Sequence, residues 1–223
     1  MTHSLISPAI FYWGTPVVLV TTTNKDGTPN ISPISSAWWL GNRCILGLAG
    51  NSQTTMNLLR TKQCVLNLPD HTMVSNVNAL ARTTGTEDVP ESKINRGYRY
   101  EKDKFKIAAL TPQSSIMVTP PRVRECPVQM EAELVEMHQL MKDGPSELKG
   151  ALLAIEVKIL QTHIIDVLRM NGHANRVDPD KWKPMIMSFQ RLYGLRDGEL
   201  ANSTLAEIDE ESYRLLSCPK EES

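Results

Sequence analysis

Short β-branched runs separated by turn signals constrain this chain more than any other feature. Pro16-Val-Val-Leu-Val-Thr-Thr-Thr23 is β-branched almost throughout and stops at Asn24-Lys-Asp-Gly27, a strong hairpin signal. Asn30 to Leu40 reads as extended, with Ser32, Ile34 and Ser36 on one face and Ser35, Ala37 and Trp39 on the other. Leu40-Gly-Asn-Arg43 turns the chain into a strand over Cys44–Leu48. Asn51 or Ser52 can cap a helix that runs to about Lys62, with Met56 and Leu59 as its apolar contacts. Cys64–Leu68 reads as a buried strand.

The second half continues the pattern. Met73, Val74, Val77, Leu80 and Ala81 share one face of a helix over 71–82, with His71, Asn78 and Arg82 on its exposed polar flank. Thr83 to Lys104 is polar and contains Gly85, Pro90 and Gly97, which predicts a long functional or mobile loop. A strand is expected over Ser115–Thr119, stopped by Pro120-Pro121. Val128 to His138 alternates until its phase flips at Leu134-Val135, the mark of a β-bulge that bends a strand around a barrel. Asp143-Gly-Pro-Ser146 makes a turn, and Ala151–Ile159 alternates again. These elements predict a mainly β fold: an antiparallel, Greek-key-like, closed or partly closed barrel with flanking α-helices. No internal repeat or linker divides residues 1–223, which read as a single domain with a C-terminal extension. The charged stretches Glu207–Ser212 and Lys220–Ser223 read as a solvated tail.

Composition narrows the function. Hydrophobic content of 41% and charged content of 22% suit a soluble globular protein, and a net charge of −1 gives no basic footprint for nucleic acid or an anionic membrane. The apolar runs Pro16–Val20 and Ala151–Ile155 are too short to span a bilayer. The first residues lack a basic region followed by an apolar stretch, so no signal peptide is read. The cysteines at 44, 64, 126 and 218 form no CxxC pair, and Cys44 and Cys64 sit in apolar runs, which implies packed thiols in a reducing, cytoplasmic setting. The histidines are dispersed without an HExxH, so no catalytic metal is expected.

Two clusters of small polar groups remain. Asn51, Ser52, Thr54, Thr55 and Asn57 gather around a helix N-terminus, where amide groups and the helix dipole favour an anion. Asn30-Ile-Ser-Pro-Ile-Ser-Ser36 supplies hydroxyl and amide groups a few residues earlier. On a β scaffold the pair suits a phosphate-bearing planar cofactor, and no side chain is assigned a catalytic acid, base or nucleophile role. The competing reading is a capped helix with polar surface neighbours.

The order of segments resembles the flavin reductase-like family with its FMN-binding split barrel. The resemblance is carried by Gly27-Thr-Pro-Asn-Ile-Ser-Pro-Ile-Ser-Ser36, Ser52-Gln-Thr-Thr-Met-Asn57, Val65-Leu-Asn-Leu-Pro69, Phe105-Lys-Ile-Ala-Ala-Leu-Thr111, Pro121–Glu131 and Ile155-Glu-Val157, over roughly Val17 to Tyr193. The chain departs from it at Ser52-Gln53-Thr54, where relatives often carry a Lys-Asp-Thr-like triplet, at Ala109-Leu110-Thr111, at Ile155, and at Ala132 after Glu131. The resemblance implies non-covalent FMN, with FAD possible, and a homodimer with the flavin near the subunit boundary. It also implies electron flow from NAD(P)H through flavin to free flavin, a small acceptor or a partner monooxygenase. It places Ser52, Thr54, Thr55, Asn57 and Asn51 at the phosphate, with Arg43 or Arg60 as a source of positive charge. It places Ser35, Ser36, Ala37 and Trp38 along the isoalloxazine and ribityl chain, and Leu66 and Asn67 against the ring. Trp38 and Trp39 face opposite ways, so only one of them can adjoin the flavin. Tyr98, Arg99 and Phe105 are candidates to cover the flavin or receive nicotinamide, and Tyr193 to pack behind the phosphate. A flavin-binding carrier or sensor without nicotinamide turnover is the alternative, and a β-barrel interaction module with a polar groove is a third.

Overall fold

A computed structural model describes residues 1–195, 197, 198 and 200; Cys218 and the charged stretches 207–212 and 220–223 lie outside the described residues. The strands and helices are β1 (Trp13–Pro16), β2 (Val18–Thr23), β3 (Pro29–Ile34), β4 (Ala37–Leu40), β5 (Arg43–Ala49), α1 (Gln53–Thr61), β6 (Gln63–Leu68), α2 (Val74–Ala79), β7 (Thr83–Thr84), α3 (Glu91–Ile94), β8 (Arg99–Tyr100), α4 (Lys104–Ile107), β9 (Pro112–Gln113), β10 (Arg122–Val123), β11 (Val128–Gln139), β12 (Leu152–Ile164), β13 (Met185–Ser188) and β14 (Arg191–Gly194). The fold is a mainly β split barrel whose large sheet has seven strands in the order β3-β2-β6-β11-β12-β5-β4. All pairings within it are antiparallel. A smaller sheet, β1-β13-β14, lies against its edge.

Strand β2 explains why its sequence is continuously apolar. Val18 and Val20 pack in the barrel interior with Leu46, Leu66, Ile155 and Val157. Val17 and Leu19 point the other way, into a second cluster with Met73, Leu80 and Phe105 from the helical layer. A strand buried on both faces needs apolar residues at consecutive positions, each worth about 1.5–3 kcal/mol when fully buried. The turn into β3 follows its Asp-Gly signal: Gly27 adopts φ +82°, and Asp26 Oδ1 accepts from the Thr28 amide at 3.0 Å. The predicted bulge is present, since Leu134 opposes Val157 and Glu136 opposes Glu156, leaving Val135 as the extra residue.

Three local expectations are corrected. The helix predicted over 71–82 divides into a single 3-10 turn at His71–Met73, capped by Asp70, and the short α2. The segment from Thr83 to Lys104 is ordered: β7 and β8 pair in parallel, α3 lies between them, and Phe105 is buried. Ser115–Thr119 is not a strand but the bend that joins β9 to β10. Its amides are taken by a carboxylate instead of a neighbouring strand. Glu131, wholly inaccessible, accepts from the Ile116 amide at 2.9 Å, the Val118 amide at 3.2 Å and the Met117 amide. His163 Nε2 approaches the same carboxylate at 2.8 Å, and Arg122 Nε stands 3.8 Å away. Burial alone would raise this carboxyl, but the Ile116 and Met117 amides and His163 together hold it below the usual range.

Among the described residues the cysteines at 44, 64 and 126 are free and buried. Burial pushes the Cys44 thiol up to about 12 and raises Cys64 and Cys126 as well, so they are inert packing groups. No described group of three or more His, Cys, Asp or Glu residues could hold a metal, and no described helix is long and apolar enough to cross a membrane.

Glu131→Gln aims an amide N–H₂ at donors that need an acceptor. Urea unfolding is expected to show a loss of about 2–4 kcal/mol, with faster hydrogen exchange at Ile116, Met117 and Val118. A loss below about 1 kcal/mol would show that the clasp is not structural.

Candidate functional site

The site begins with the cap of α1. Ser52 takes an extended conformation at φ −79° and ψ 148°, and its Oγ accepts from the Thr55 amide at 3.1 Å. Thr55 Oγ1 donates to the Ala49 carbonyl at 2.8 Å, which ties the helix start to the end of β5. Lys62 closes the other end in the left-handed region at φ 62°, donating to Leu58 O at 2.8 Å. With the Thr55 amide used by Ser52, the Gln53 and Thr54 amides are left without partners inside the helix. They project from the positive end of the helix dipole.

A buried polar seam decides where that end points. Asn30 Nδ2 donates to Thr54 Oγ1 at 3.1 Å and to Thr22 Oγ1 at 3.3 Å. Asn57 Nδ2 donates to Thr22 Oγ1 at 3.1 Å and to Asn24 Oδ1 at 2.8 Å. Lys104 Nζ, from α4, donates to Asn30 Oδ1 at 3.0 Å and to the Ile31 carbonyl at 3.1 Å. Thr22, Asn30, Thr54, Asn57 and Lys104 are all buried. The Lys104 ammonium is therefore held by neutral oxygens alone, and burial, with Lys93 nearby, lowers its pKa to about 8 against an opposing pull from Glu101.

The structure gathers the residues predicted around α1 but divides their roles. Asn51 is exposed and Ser52 half-buried, whereas Thr54, Thr55 and Asn57 turn inward and hold the helix in place. Neither candidate arginine supplies a free charge at the helix start. Arg43 pairs with Glu156 at 3.0 Å, and Arg60, in the last turn of α1, donates to the Thr23 carbonyl. An anion here would be met first by amides and dipole, and Lys25, Arg60 and Lys102 line the cavity that Gln53 borders.

The second cluster lies where β3 passes into β4. Ser35 and Ala37 are buried and Ser36 half-buried, while Trp38 is 56% exposed. Trp39 packs against the barrel core, so Trp38 is the tryptophan that faces outward. The Ser36 carbonyl accepts from the Gly47 amide at 2.7 Å, and a Cβ at Gly47 would lie 2.7 Å from Ser36 Cβ, so only glycine allows this approach. Ser36 Oγ lies 2.9 Å from Tyr12 Oη. Leu66 and Asn67 are wholly buried; Asn67 Nδ2 donates to the Leu19 carbonyl at 2.9 Å, and its Oδ1 accepts from Val123 N at 2.8 Å. Their side chains are used by the barrel. Tyr193 is 52% exposed on β14.

Two cavities flank these clusters. One, of about 560 Å³, is bounded by Ser35, Tyr12, Tyr98 and the end of α2. The other, of about 520 Å³, lies between Asn30, the Gln53-Asn57-Arg60 face of α1 and Tyr100–Lys102. Both have the size of a small-molecule site. Sequence reasoning passed over Tyr12 and Lys104. A lysine in a polar stretch reads as surface, and nothing in the sequence places residue 104 beside residue 30.

Residues 12–173 match the family model described as flavin reductase like domain. An uncharacterized protein of Bacillus subtilis (strain 168), YdfE, is 37% identical over 190 residues, covering 85% of this chain and 88% of the relative. The fold is similar to flavoredoxin of Desulfovibrio vulgaris (Miyazaki F), with a TM-score of 0.71 at 20% identity over 93% of this chain and 99% of that one. Nitrilotriacetate monooxygenase component B from Bacillus cereus gives a TM-score of 0.66 at 21% identity, covering 84% of this chain and 88% of the other.

The buried ammonium sets a pH signature. Below pH 8 Lys104 is charged in both folded and unfolded chains and its burial cost is carried in full; between about 8 and 10.5 the folded state releases the proton first, so stability rises with pH. Relative to Lys104→Met, the wild type should gain on the order of 3 kcal/mol across that window, measured by denaturant unfolding at each pH. A flat difference would mean that Lys104 is not desolvated.

Proposed function

The chain belongs to the flavin reductase-like family, and on that premise we propose that it is an NAD(P)H-dependent flavin oxidoreductase. It binds FMN without a covalent bond and passes electrons from a nicotinamide to free flavin, a small acceptor or a partner monooxygenase. The observation that carries this reading is the start of α1, where two amides have no partner inside the helix and Gln53 lines a cavity of about 520 Å³. Bound flavin supplies its own hydride and electron chemistry, so the protein need only bind, orient and exclude water. That division accounts for a site without a nucleophile or an acid–base pair.

The residues present fit the group at both ends. The Gln53 and Thr54 amides and the Ser52 hydroxyl would hold the phosphate, with Asn51 at its rim. Thr54, Thr55 and Asn57 act through the position of the helix. Backbone groups of Ser35, Ser36 and Ala37 would meet the ring edge, and Trp38 is free to lie against it. Leu66 and Asn67, both buried, would back the site from inside the barrel. FMN is preferred over FAD because the anchor described is a single phosphate seat.

The same reading makes residues 1–223 one domain with a C-terminal extension, active in the cytoplasm as a homodimer. Support for a dimer is the outer face of β4, an end strand of the large sheet, where Trp38 is 56% and Leu40 72% exposed.

Ser52→Asp keeps a good cap but places a carboxylate where the phosphate would sit. FMN affinity should fall about tenfold or more by charge repulsion at close range, while riboflavin, which lacks the phosphate, binds as before. Equal losses for both ligands, or no FMN binding by the wild type, would remove the phosphate assignment. Anaerobic NADH or NADPH should bleach the yellow complex; a complex that stays yellow with both is a carrier or sensor.

A further inference from the structure

Among the described residues that line the cavity beside Ser35, the exposed Arg82 is the one that carries a charge. Its remaining lining is aliphatic, aromatic or neutral polar, with the rings of Tyr12, Tyr98 and Phe189 around it and the Asn78 and Gln190 amides at its edge. Among the described residues no carboxylate lines it and Arg82 makes no ion pair.

The backbone of Arg82 is also fixed in place. It sits in the left-handed region at φ +53°, a conformation that branched and bulky residues avoid and that persists where surrounding structure enforces it. The Arg99 amide donates to its carbonyl at 3.0 Å. Its side chain lies along Gly97, where an added Cβ would come within 3.4 Å of Nη1 and 3.5 Å of Cδ. A larger residue at 97 would crowd the guanidinium off that path.

We propose that this cavity binds a planar aromatic molecule carrying one carboxylate. Arg82 receives the carboxylate, for which a guanidinium fork is matched in shape and charge, and the three aromatic rings receive the body of the ligand. The cavity's volume of about 560 Å³ admits a one- or two-ring acid. Ser35 in its wall sets such a ligand next to the proposed flavin, so its role as the flavin's electron partner rests on the function proposed above, whereas its binding does not.

Calorimetric titration of the full chain with 2-naphthoate and with neutral 2-naphthamide tests this, without FMN and after saturation with it. The acid should bind the wild type about tenfold more tightly than the amide, as a charge-assisted pair requires. Arg82→Gln should abolish that difference and leave amide binding unchanged, and FMN saturation should leave acid binding intact. Arg82→Gly, which suits the positive φ, gives the same reading if the glutamine variant fails to fold. Equal affinity for acid and amide, or no saturable acid binding, overturns the proposal. Competition between naphthoate and FMN also overturns it, since the cavity is then the flavin's own seat. Absence of FMN binding alone removes the flavin function and leaves the naphthoate result standing.

Discussion

The buried contact between Lys104 and Asn30 is the constraint on which the rest of the site depends. An ammonium withdrawn from water must find acceptors, and here it has the Asn30 side-chain carbonyl and the Ile31 carbonyl. Fixing Asn30 Oδ1 in that direction leaves Asn30 Nδ2 for Thr54 and Thr22, and Thr22 in turn holds Asn57. A fully partnered polar network tolerates few arrangements, because each alternative leaves a donor or acceptor unpaired in a low dielectric. The network therefore sets the position of α1 on β2 and β3, and so the direction of its two free amides.

The barrel supplies rigidity from two sides. β2 is buried on both faces, so its register with β3 and β6 cannot slip without exposing Val17 and Leu19 or Val18 and Val20. On β11, opposite Val65 in the middle of β6, Glu131 gathers the 116–118 amides and fixes the bend between β9 and β10. There a polar group that sequence alone would assign to the surface is the fastener.

Much of the scaffold was legible because its signals are local. The Asn24–Gly27 turn, the Ser52 cap and the extra residue at Val135 each follow from residue types within a few positions. The order of those signals was enough to place the chain in its family. Ser115–Thr119 misled because its β-branched and apolar residues suggest a strand, whereas the partner that claims its amides lies at 131. Thr54, Thr55 and Asn57 turn inward: hydroxyls and amides at a helix start read alike whether they meet a ligand or a buried asparagine. Asn67 was similarly ambiguous until Val123 and Leu19 appeared as its partners. Lys104 was out of reach, since its partner lies 74 residues away.

The central claim is that the start of α1 presents its free amides to the phosphate of a flavin nucleotide. Amide chemical shifts of ¹⁵N-labelled protein, recorded on adding FMN and separately riboflavin, test it most directly. The account predicts that Gln53 and Thr54 move with FMN and stay in place with riboflavin, while residues 35–38 respond to both. Phosphate-dependent shifts confined to Arg60 or Arg43, with Gln53 and Thr54 unmoved, would contradict it.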